Sequence, residues 1–544
     1  MMAATGSTGR RPDALGAQRV EARLAAFRLV EATQVHDVRQ ALTAALAEAE
    51  EHGWDEVARV LLYADVVRGF VDSDPSLGYR IERLRERAES DGDDVLLAVA
   101  LASRSEYHYC SESSAQRQQS DHDLARATAL LDADDGVALE RATAYVACAV
   151  AYSVRELWEL EEEMYAAGVA LLADCELPLL DAVVLFNRAE AYVRIACGLR
   201  EVDELDELTA LLPAARAAVE AADREPVPLA WRIEARVYRH LLSALSACPS
   251  PESSVELTAA TEREVTLRSA PVVGMVRLAD GLRAADAGEW TAVSRHSEQA
   301  YSRFRDDEPT PVLALALRLA AQAEAKLGSI GACKALRYGE YSARRRWEAR
   351  LRTLGSARAS LQIEQLRVER DRCAREALSD ELTGLTNRRG YVRHLKALAG
   401  SHVPRRVAVL LVDVDRFKAV NDTHGHSVGD WVLVHVARAL TVAIRPADLV
   451  ARVGGDEFVV VLDDVDGAAG HRRALDIQAR LTRVVREELP AGLRVSISVG
   501  VAAGLSPGLE LLVEQADSAL YAAKARGGSS VTVADTVDPV RAAG

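Results

Sequence analysis

Apolar residues follow a helical spacing through most of this chain, and the pattern changes abruptly at Ser379. From about Val20 to about Leu336 they recur every three or four positions, with alanine at the small contact positions and hardly a strand candidate. After Ser379, runs of β-branched residues alternate with helical segments for the first time. For a chain of 544 residues, this change predicts a multidomain protein in which an all-α domain precedes a smaller α/β domain.

Three segments of the helical part resemble one another. AEAYVRIACGL, ADGLRAADAGEW and AQAEAKLGSIG each have the form of an alanine-rich helix that ends near a glycine, namely Gly198, Gly288 and Gly328. The spacing of the last two matches a helix-turn-helix repeat. We therefore predict a tetratricopeptide-like array over 18–340 that binds an unidentified protein or ligand, with an irregular helical bundle as the alternative. The polar stretch 111–122 is predicted to be a loop.

The charged segment 341–378 predicts one long linker helix. Residues spaced by seven along it form one column of a coiled-coil seam: Trp347, Leu354, Leu361 and Val368. The second column has a single apolar member among its residues, which are Leu351, Arg358 and Gln365. We therefore expect a dimer along this helix, although its coiled-coil seam is incomplete. Residues 1–17 and 535–544 are predicted to be flexible tails.

Charge and composition narrow the classes of function. A net charge of −16 argues against general nucleic-acid binding, which needs a basic face. No segment reaches the roughly 18 uncharged apolar residues of a membrane span, and the sequence after Arg10-Arg11 does not resemble a signal peptide. The seven cysteines are scattered without a C-x-x-C pair, which indicates reduced thiols. We expect a cytoplasmic protein with neither nucleic-acid nor membrane partners.

The C-terminal domain is predicted over 379–534. Its strands are expected at VAVLLV (407–412), LVARV (449–453), FVVVL (458–462), VSISVGVA (495–502) and SVTVA (530–534). Its helices are expected at about 390–399, 427–444, 468–489 and 509–525. Between two of the strands, Gly454 and Gly455 predict a tight hairpin with positive φ angles, and the absence of side chains would let a ligand approach the backbone.

Carboxylates stand at two places in this α/β pattern. Asp413 ends a buried strand and Asp456 stands at the hairpin, so a shared sheet would bring them together as ligands of magnesium. Asp415 is expected to cap the next helix instead. In the polar segment that follows, Asn421 and Asp430 have groups that suit the edge of a purine base, although the same segment also reads as a plain loop and helix cap.

Four motifs in order resemble the diguanylate cyclase family. GGDEF at 454–458 is similar to its signature, and Asp380–Arg389 is similar to its DxLTGLxNRR opening. Residues 413–430 resemble the block DIDxFKxxNDxxGHxxGD, and residues 516–524 resemble ADxALYxAK. The resemblance covers about 379–534. It implies a palm-like domain with a ferredoxin-like core, and condensation of two GTP into cyclic di-GMP with release of pyrophosphate.

The resemblance also implies roles for individual residues. Mg²⁺, or Mn²⁺, would be held by Asp413, the Val414 carbonyl and Asp456, while Asp456 or Glu457 would help deprotonate the attacking hydroxyl. The other substrate contacts would come from Asn421, Asp430 and His426 on guanine, from Lys418 and Lys524 on phosphates, and from Gly454 and Gly455. Each domain would bind one GTP, so the active form would be a homodimer. An RxxD inhibitory site for the product would be formed by Arg445 and Asp448.

The chain departs from the family pattern at two places. Gly528 stands where an arginine is usual, with Arg526 two residues away, and Arg416 stands where an apolar residue is common. These departures put one triphosphate contact in question, not the metal site. Two other functions stay open from sequence alone: a catalytically silent receptor for GTP or cyclic di-GMP, and a protein whose main role is interaction through the helical array.

Overall fold

A computed structural model of the protein describes residues 14–32, 38–109, 114–133, 137–172, 178–225, 227–265, 269–304, 311–400, 404–445, 447–488 and 495–534. The chain divides into two compact units, Met1–Val368 and Glu369–Gly544. The predicted tails fall largely outside the described residues, although the first helix already begins at Ala14, within the tail that the sequence predicts.

The described part of the N-terminal unit is built from helices, as the sequence predicts. These are α1 (Ala14–Ala32), α2 (Arg39–His52), α3 (Asp55–Val71), α4 (Leu77–Asp91), α5 (Asp94–Tyr109), α6 (Ser114–Ala133), α7 (Ala138–Ser153), α8 (Trp158–Leu172), α9 (Pro178–Glu201), α10 (Leu205–Ala222), α11 (Leu229–Leu245), α12 (Ser254–Glu264), α13 (Ser269–Asp286), α14 (Trp290–Tyr301) and α15 (Pro311–Lys326). Neighbouring helices pack on each other around two extended apolar cores. The tetratricopeptide-like character of this array stays a prediction.

The prediction of a loop at 111–122 was wrong, because α6 begins at Ser114. Most of the described polar residues of this stretch are exposed to water, but one of them is buried between helices. Ser120 is fully buried and donates to the carbonyl of Ser105 at 2.8 Å. The buried Arg155 donates to the hydroxyls of both serines. Paired polar groups can be buried at little cost, so composition alone misplaced this helix.

The three repeat glycines do not have the same role. Gly288 and Gly328 follow α13 and α15 with φ angles of 73° and 100°, as expected of glycines that end helices. Gly198 lies inside α9, which continues to Glu201. A β-carbon there would lie 2.6 Å from the ring of Trp347, so this glycine permits a close approach instead of a turn.

The linker helix, α16 (Ile330–Glu376), begins earlier than the predicted 341. Its expected seam packs on the array of the same chain. Leu354 is buried in one core of the array, Val368 packs on the same core, and Trp347 packs against the other. Leu361 is half-buried. The apolar column therefore forms an intramolecular contact within the N-terminal unit, which a pattern of period seven cannot distinguish from a coiled coil.

The C-terminal unit is a mixed sheet covered by helices, which confirms the predicted α/β class. Its strands are β1 (Thr386–Asn387), β2 (Arg406–Val414), β3 (Leu449–Arg452), β4 (Glu457–Asp463), β5 (Ile497–Leu505) and β6 (Val531–Val533), in the order β1-β3-β4-β2-β5-β6. The central β2 runs antiparallel to β4 and β5, and β3 runs antiparallel to β4. The outer pairs β1–β3 and β5–β6 are parallel.

Helices cover both faces of the sheet. They are α17 (Arg388–Ala399), α18 (Phe417–His424), α19 (His426–Val442), α20 (Gly467–Glu488) and α21 (Leu509–Ala525). Along β2, Ala408, Leu410 and Val412 join the core with α19 and α20, whereas Val407 and Val409 join the core with α17 and α21. The short β1 and the separate α18 were missed, since neither has a run of apolar residues.

The cysteines agree with the predicted reduced state where they are described. Cys148, Cys197, Cys248, Cys333 and Cys373 are free, and the other two lie outside the described residues. Over the described ranges, none of the helices combines the length and the apolar character that a membrane crossing requires.

Candidate active site

The end of β2 and the β3–β4 hairpin meet at one edge of the sheet. Asp413 lies directly opposite Glu457 in the antiparallel register, and the Val414 amide donates to the carbonyl of Asp456 at 3.2 Å. The structure thus brings the strand end and the hairpin together, as the sequence suggested for a shared sheet. Asp413 is buried, Asp456 is half-buried and Glu457 is exposed.

Asp413 is balanced by a lysine from the facing helix. The Nζ of Lys524 on α21 lies 2.7 Å from the Asp413 carboxylate. Burial raises the pKa of Asp413, the Lys524 ammonium lowers it, and the negative charges of Asp456 and Glu457 raise it again. The result is a pKa above the ordinary 3.8. The edge therefore holds more negative charge than its single paired lysine neutralises.

This raised pKa predicts that ionisation of Asp413 lowers the stability of the folded chain. Because the folded chain holds the Asp413 proton more tightly than the unfolded chain does, stability falls as pH rises from 3.8 through the raised pKa. We expect Asp413→Asn to remove this loss, so that its melting temperature near pH 7 equals or exceeds that of the wild type. Calorimetry of the full chain from about pH 4 to about pH 8 measures it. A lower melting temperature, with the wild-type pH dependence retained, would contradict the prediction.

The same edge fits a divalent cation. Within the described ranges, no group of three or more His, Cys, Asp and Glu side chains is arranged to hold a metal ion alone. Magnesium sites that act on nucleotides usually take one or two carboxylates and complete the shell with water and substrate phosphates. Asp413 and Asp456 supply hard oxygen donors, and the uncompensated charge around the buried Asp413 favours a cation. The donor set therefore fits Mg²⁺ or Mn²⁺ together with a phosphate-bearing substrate.

The hairpin turn differs from its prediction. Neither Gly454 nor Gly455 is among the residues with positive φ. A β-carbon on Gly454 would instead lie 2.7 Å from a carboxylate oxygen of Glu457, so a side chain here would require the exposed Glu457 to move. Gly455 is exposed with open space around it, so the backbone stays accessible to a ligand.

Arg452 and Asp380 hold the turn, a contact that the sequence did not indicate. The Arg452 guanidinium donates to the Gly455 carbonyl at 2.8 Å and pairs with Asp380 at 2.9 Å. Partial burial alone would raise the pKa of Asp380, but hydrogen bonds from Thr383 and Arg452 hold it below its ordinary value. The sequence signal that could have identified this contact is Arg452, a charged residue at the end of an apolar strand and beside the hairpin.

The candidate base-binding residues lie on two helices separated by a bend. Asn421 is on α18 and Asp430 is on α19, and Gly425 between them has a φ of 85°. The Asn421 amide lies against Gly429, where a β-carbon would be 1.9 Å from its Oδ1. The remaining candidates, Lys418 and His426, are exposed near the starts of the same two helices.

Asp415 does not cap a helix, contrary to expectation. Its carboxylate accepts from Ser496 and Ser498, each at 2.6 Å, and from the Ser529 amide at 2.7 Å. It therefore ties the segment after α21 to β5. Gly528 packs directly on this carboxylate, since a β-carbon there would lie 2.8 Å from an oxygen of Asp415. At the position where the family usually has an arginine, this chain therefore has a glycine that packs on Asp415.

The candidate inhibitory pair lies in the turn between α19 and β3. Asp448 accepts from the Arg445 amide at 2.9 Å and from the Asp463 amide at 3.0 Å. Its carboxylate has a structural role, which the sequence did not indicate. Arg445 is exposed.

Comparison with protein families matches residues 377–530 to the model described as "Diguanylate cyclase, GGDEF domain". Among curated proteins, the chain is 36% identical over 161 residues to the cyclic di-GMP phosphodiesterase PdeB of Shewanella oneidensis, covering 29% of this chain and 19% of that protein. It is 38% identical over 182 residues to the diguanylate cyclase TpbB of Pseudomonas aeruginosa, covering 32% of this chain and 41% of that one.

A solved structure gives a corresponding likeness. A truncated TpbB that comprises only the GGDEF domain is 38% identical, with a TM-score of 0.26 and coverage of 30% of this chain and 99% of that one. The chain spans between 19% and 41% of the length of the two curated relatives named above. The similarity therefore concerns the C-terminal unit, where the carboxylates, the hairpin and the two-helix segment lie.

Proposed function

Residues 377–530 form a GGDEF domain of the diguanylate cyclase family, and on this premise we propose that the protein condenses two GTP into cyclic di-GMP and releases two pyrophosphates. The observation that carries the proposal is the meeting of Asp413, at the end of β2, with the hairpin that holds Asp456 and Glu457. The alternative of a silent receptor is less well supported, because the carboxylates and both candidate base-binding residues are present.

In the proposed reaction, the chain positions one GTP and handles one proton. Asn421 and Asp430 bind guanine with His426 beside them, and Lys418 and Lys524 contact the phosphates. For Lys524, this means exchanging its ion pair with Asp413 for the substrate. Asp413, Asp456 and the Val414 carbonyl would hold a divalent cation, which would supply Lewis-acid activation of the 3′-hydroxyl when bound. Asp456 or Glu457 accepts the proton of that hydroxyl, and the open backbone at Gly455, next to Gly454, lets the substrate approach.

We propose that the active form is a homodimer, because each domain binds one GTP and the product joins two. The rate per molecule should then fall on dilution as the dimer dissociates. Cyclase activity of the full chain is measured against protein concentration, with sedimentation at each concentration to report the oligomeric state. A rate per molecule that stays constant where the protein is monomeric refutes the two-half-site arrangement.

We also propose that product binds at Arg445 and Asp448 and inhibits the enzyme. An arginine can hold a phosphate or a guanine edge through two hydrogen bonds. Because Asp448 supports its own turn, Arg445 is the residue to change. We expect Arg445→Ala to raise the cyclic di-GMP concentration for half-inhibition about tenfold, equivalent to about 1.4 kcal/mol. Arg438→Ala, at an exposed site on α19, is the control; equal inhibition of both variants would rule this site out.

The proposals about the helical array and about the location of the protein rest on its assignment as a diguanylate cyclase. The ligand or partner of the helical array is unidentified, and the cytoplasmic location stays a prediction from the sequence. A ligand-binding array and a cytoplasmic location both agree with a signalling enzyme whose product is a diffusible nucleotide. The long helix α16 joins the array to the catalytic domain.

A further inference from the structure

A carboxyl group is buried where α7, α8 and α9 of the N-terminal unit meet. The Glu161 side chain on α8 is 3% exposed, and its Oε1 accepts from Nη1 of Arg194 on α9 at the long distance of 3.4 Å. Its other oxygen, Oε2, is buried and has no hydrogen-bond partner among the residues that the structure describes. An ionised carboxylate in such a place needs close donors for both oxygens. Glu161 is therefore poorly compensated as an anion.

The cation beside Glu161 is shared with other acceptors. Nη1 of Arg194 also donates to the Ser153 hydroxyl of α7 at 2.9 Å, and its Nη2 lies 3.0 Å from the Glu190 carboxylate. Glu190 is thus closer to the guanidinium, and at 14% exposed it is also better hydrated. If both carboxylates are ionised, one guanidinium faces two negative charges in a region of low dielectric constant. Of the two carboxylates, Glu161 is the less favourable in its charged form.

The other titratable groups around this site do not relieve the charge. Tyr165 lies one turn further along α8, and burial raises the pKa of its hydroxyl. From α11, Tyr238 lies near Arg194 and donates to the Glu234 carboxylate at 2.9 Å. Among the described groups with a resolved effect on the ionisation of Glu161, Arg194 is the one cation.

These surroundings place the ionisation of Glu161 near neutral pH. Burial raises its pKa most, Arg194 lowers it, Glu190 raises it again and Ser153 lowers it, with a result of about 7. Because the folded chain holds this proton more tightly than the unfolded chain does, stability falls as pH rises from 4.5 through about 7. Buried carboxyl groups with a raised pKa still exchange protons with the solvent.

The same helix holds α16. The Glu159 carboxylate accepts from Arg350 at 2.5 Å, and the Glu163 carboxylate accepts from Arg358 at 2.9 Å. Both acids are two positions from Glu161, so they lie on the opposite side of α8. This helix therefore connects the buried carboxyl group on one side with α16 on the other.

We propose that the helical array is a proton sensor, in which ionisation of Glu161 loosens the packing of α8 on α9 and thereby the hold of α8 on α16. The ionised carboxylate repels Glu190 and competes with it for Arg194, whereas the protonated carboxyl group does neither. The proton comes from the solvent, and the signal that the array reads is its concentration. An effect on cyclase activity rests on the function proposed above, but the ionisation and its effect on α16 do not.

The test compares the full-length wild type with Glu161→Gln, which keeps the shape of the protonated side chain and cannot ionise. Thermal unfolding is measured by calorimetry over a range of pH. The melting temperature of the variant minus that of the wild type should grow by at least about 2 °C between about pH 5 and about pH 8. Glu86→Gln, at an exposed site on α4, is the control and should show the wild-type profile.

Two further measurements report the site and its coupling. The infrared spectrum of the wild type minus that of Glu161→Gln should contain the C=O stretch of a protonated carboxyl group at about pH 6 and lose it by about pH 8. Amide hydrogen exchange in α16 at about pH 8 should be faster in the wild type than in Glu161→Gln, because only the wild type then carries the buried charge.

A constant difference in melting temperature, absence of the carboxyl band, or equal exchange of α16 in both proteins would overturn the proposal. If Glu161→Gln fails to fold, Glu190→Gln provides a second variant. Without the competing charge, Arg194 is left to Glu161, so the carboxyl band should disappear at a lower pH than in the wild type; an unchanged midpoint would also overturn the proposal. The expected pH responses in a chain that makes no cyclic di-GMP would uphold the sensor and refute only the proposed catalysis.

Discussion

Asp456→Asn should lower the rate of cyclic di-GMP formation about a thousandfold, with little effect on folding. Asp456 lies in the hairpin turn beside the end of β2, and in the proposed site its carboxylate both binds the metal and stands next to the attacking hydroxyl. Asparagine keeps the shape and removes the charge, so the loss would fall on the chemical step. The measurement is the initial rate with saturating GTP and Mg²⁺.

Asp476→Asn is the matched control. Asp476 is a partly exposed residue on α20 that pairs only with Arg480 among the contacts described for it, and it is not part of the carboxylate edge. Its activity should stay within about twofold of the wild type. Retention of even a tenth of the activity in Asp456→Asn would contradict the metal role of this residue.

Gly429→Ala should raise the KM for GTP about tenfold to a hundredfold. The added methyl group would lie 1.9 Å from Oδ1 of Asn421, which must move away. If Asn421 holds guanine, its displacement removes a hydrogen bond that is present in both the bound substrate and the transition state. Such a loss changes KM more than kcat. Steady-state kinetics over a range of GTP concentrations separate the two.

Gly339→Ala controls for the change of a helical glycine. Gly339 lies on α16 with open space around the position of a β-carbon, so alanine there should leave the KM unchanged. Because helix propensity favours alanine over glycine, neither variant should destabilise its own helix. A KM for Gly429→Ala within about twofold of the wild type would remove Asn421 from the base-binding site.

The local pattern of apolar residues predicted those parts of the fold in which the pattern is strong. The β2 and β4 strands were predicted because their apolar residues are consecutive, and the pairing of β3 with β4 follows once the hairpin is recognised. The sequence left open whether this hairpin lies beside β2, and the structure shows that β2 pairs with β4. The proximity of Asp413 to the hairpin is a consequence of that pairing. Short elements without apolar runs, such as β1 and α18, have no such signal.

Tertiary partners decided the features that pattern could not determine. The column of Trp347, Leu354 and Val368 is apolar whether it faces a second chain or its own array, and the packing of this chain selects the array. Gly198 is a contact rather than a turn for the same reason. Asp415 bonds to residues far along the chain, at β5 and after α21, which no local signal reveals.

Direct detection of the product tests the central claim. The purified full chain, at a concentration where it is dimeric, is incubated with GTP and Mg²⁺, and cyclic di-GMP and pyrophosphate are quantified, with Asp456→Asn as the background. The proposal predicts one cyclic di-GMP and two pyrophosphates for every two GTP consumed. If the concentrated protein binds GTP and forms no cyclic di-GMP with either Mg²⁺ or Mn²⁺, the chain is a nucleotide receptor and the proposed catalysis is contradicted.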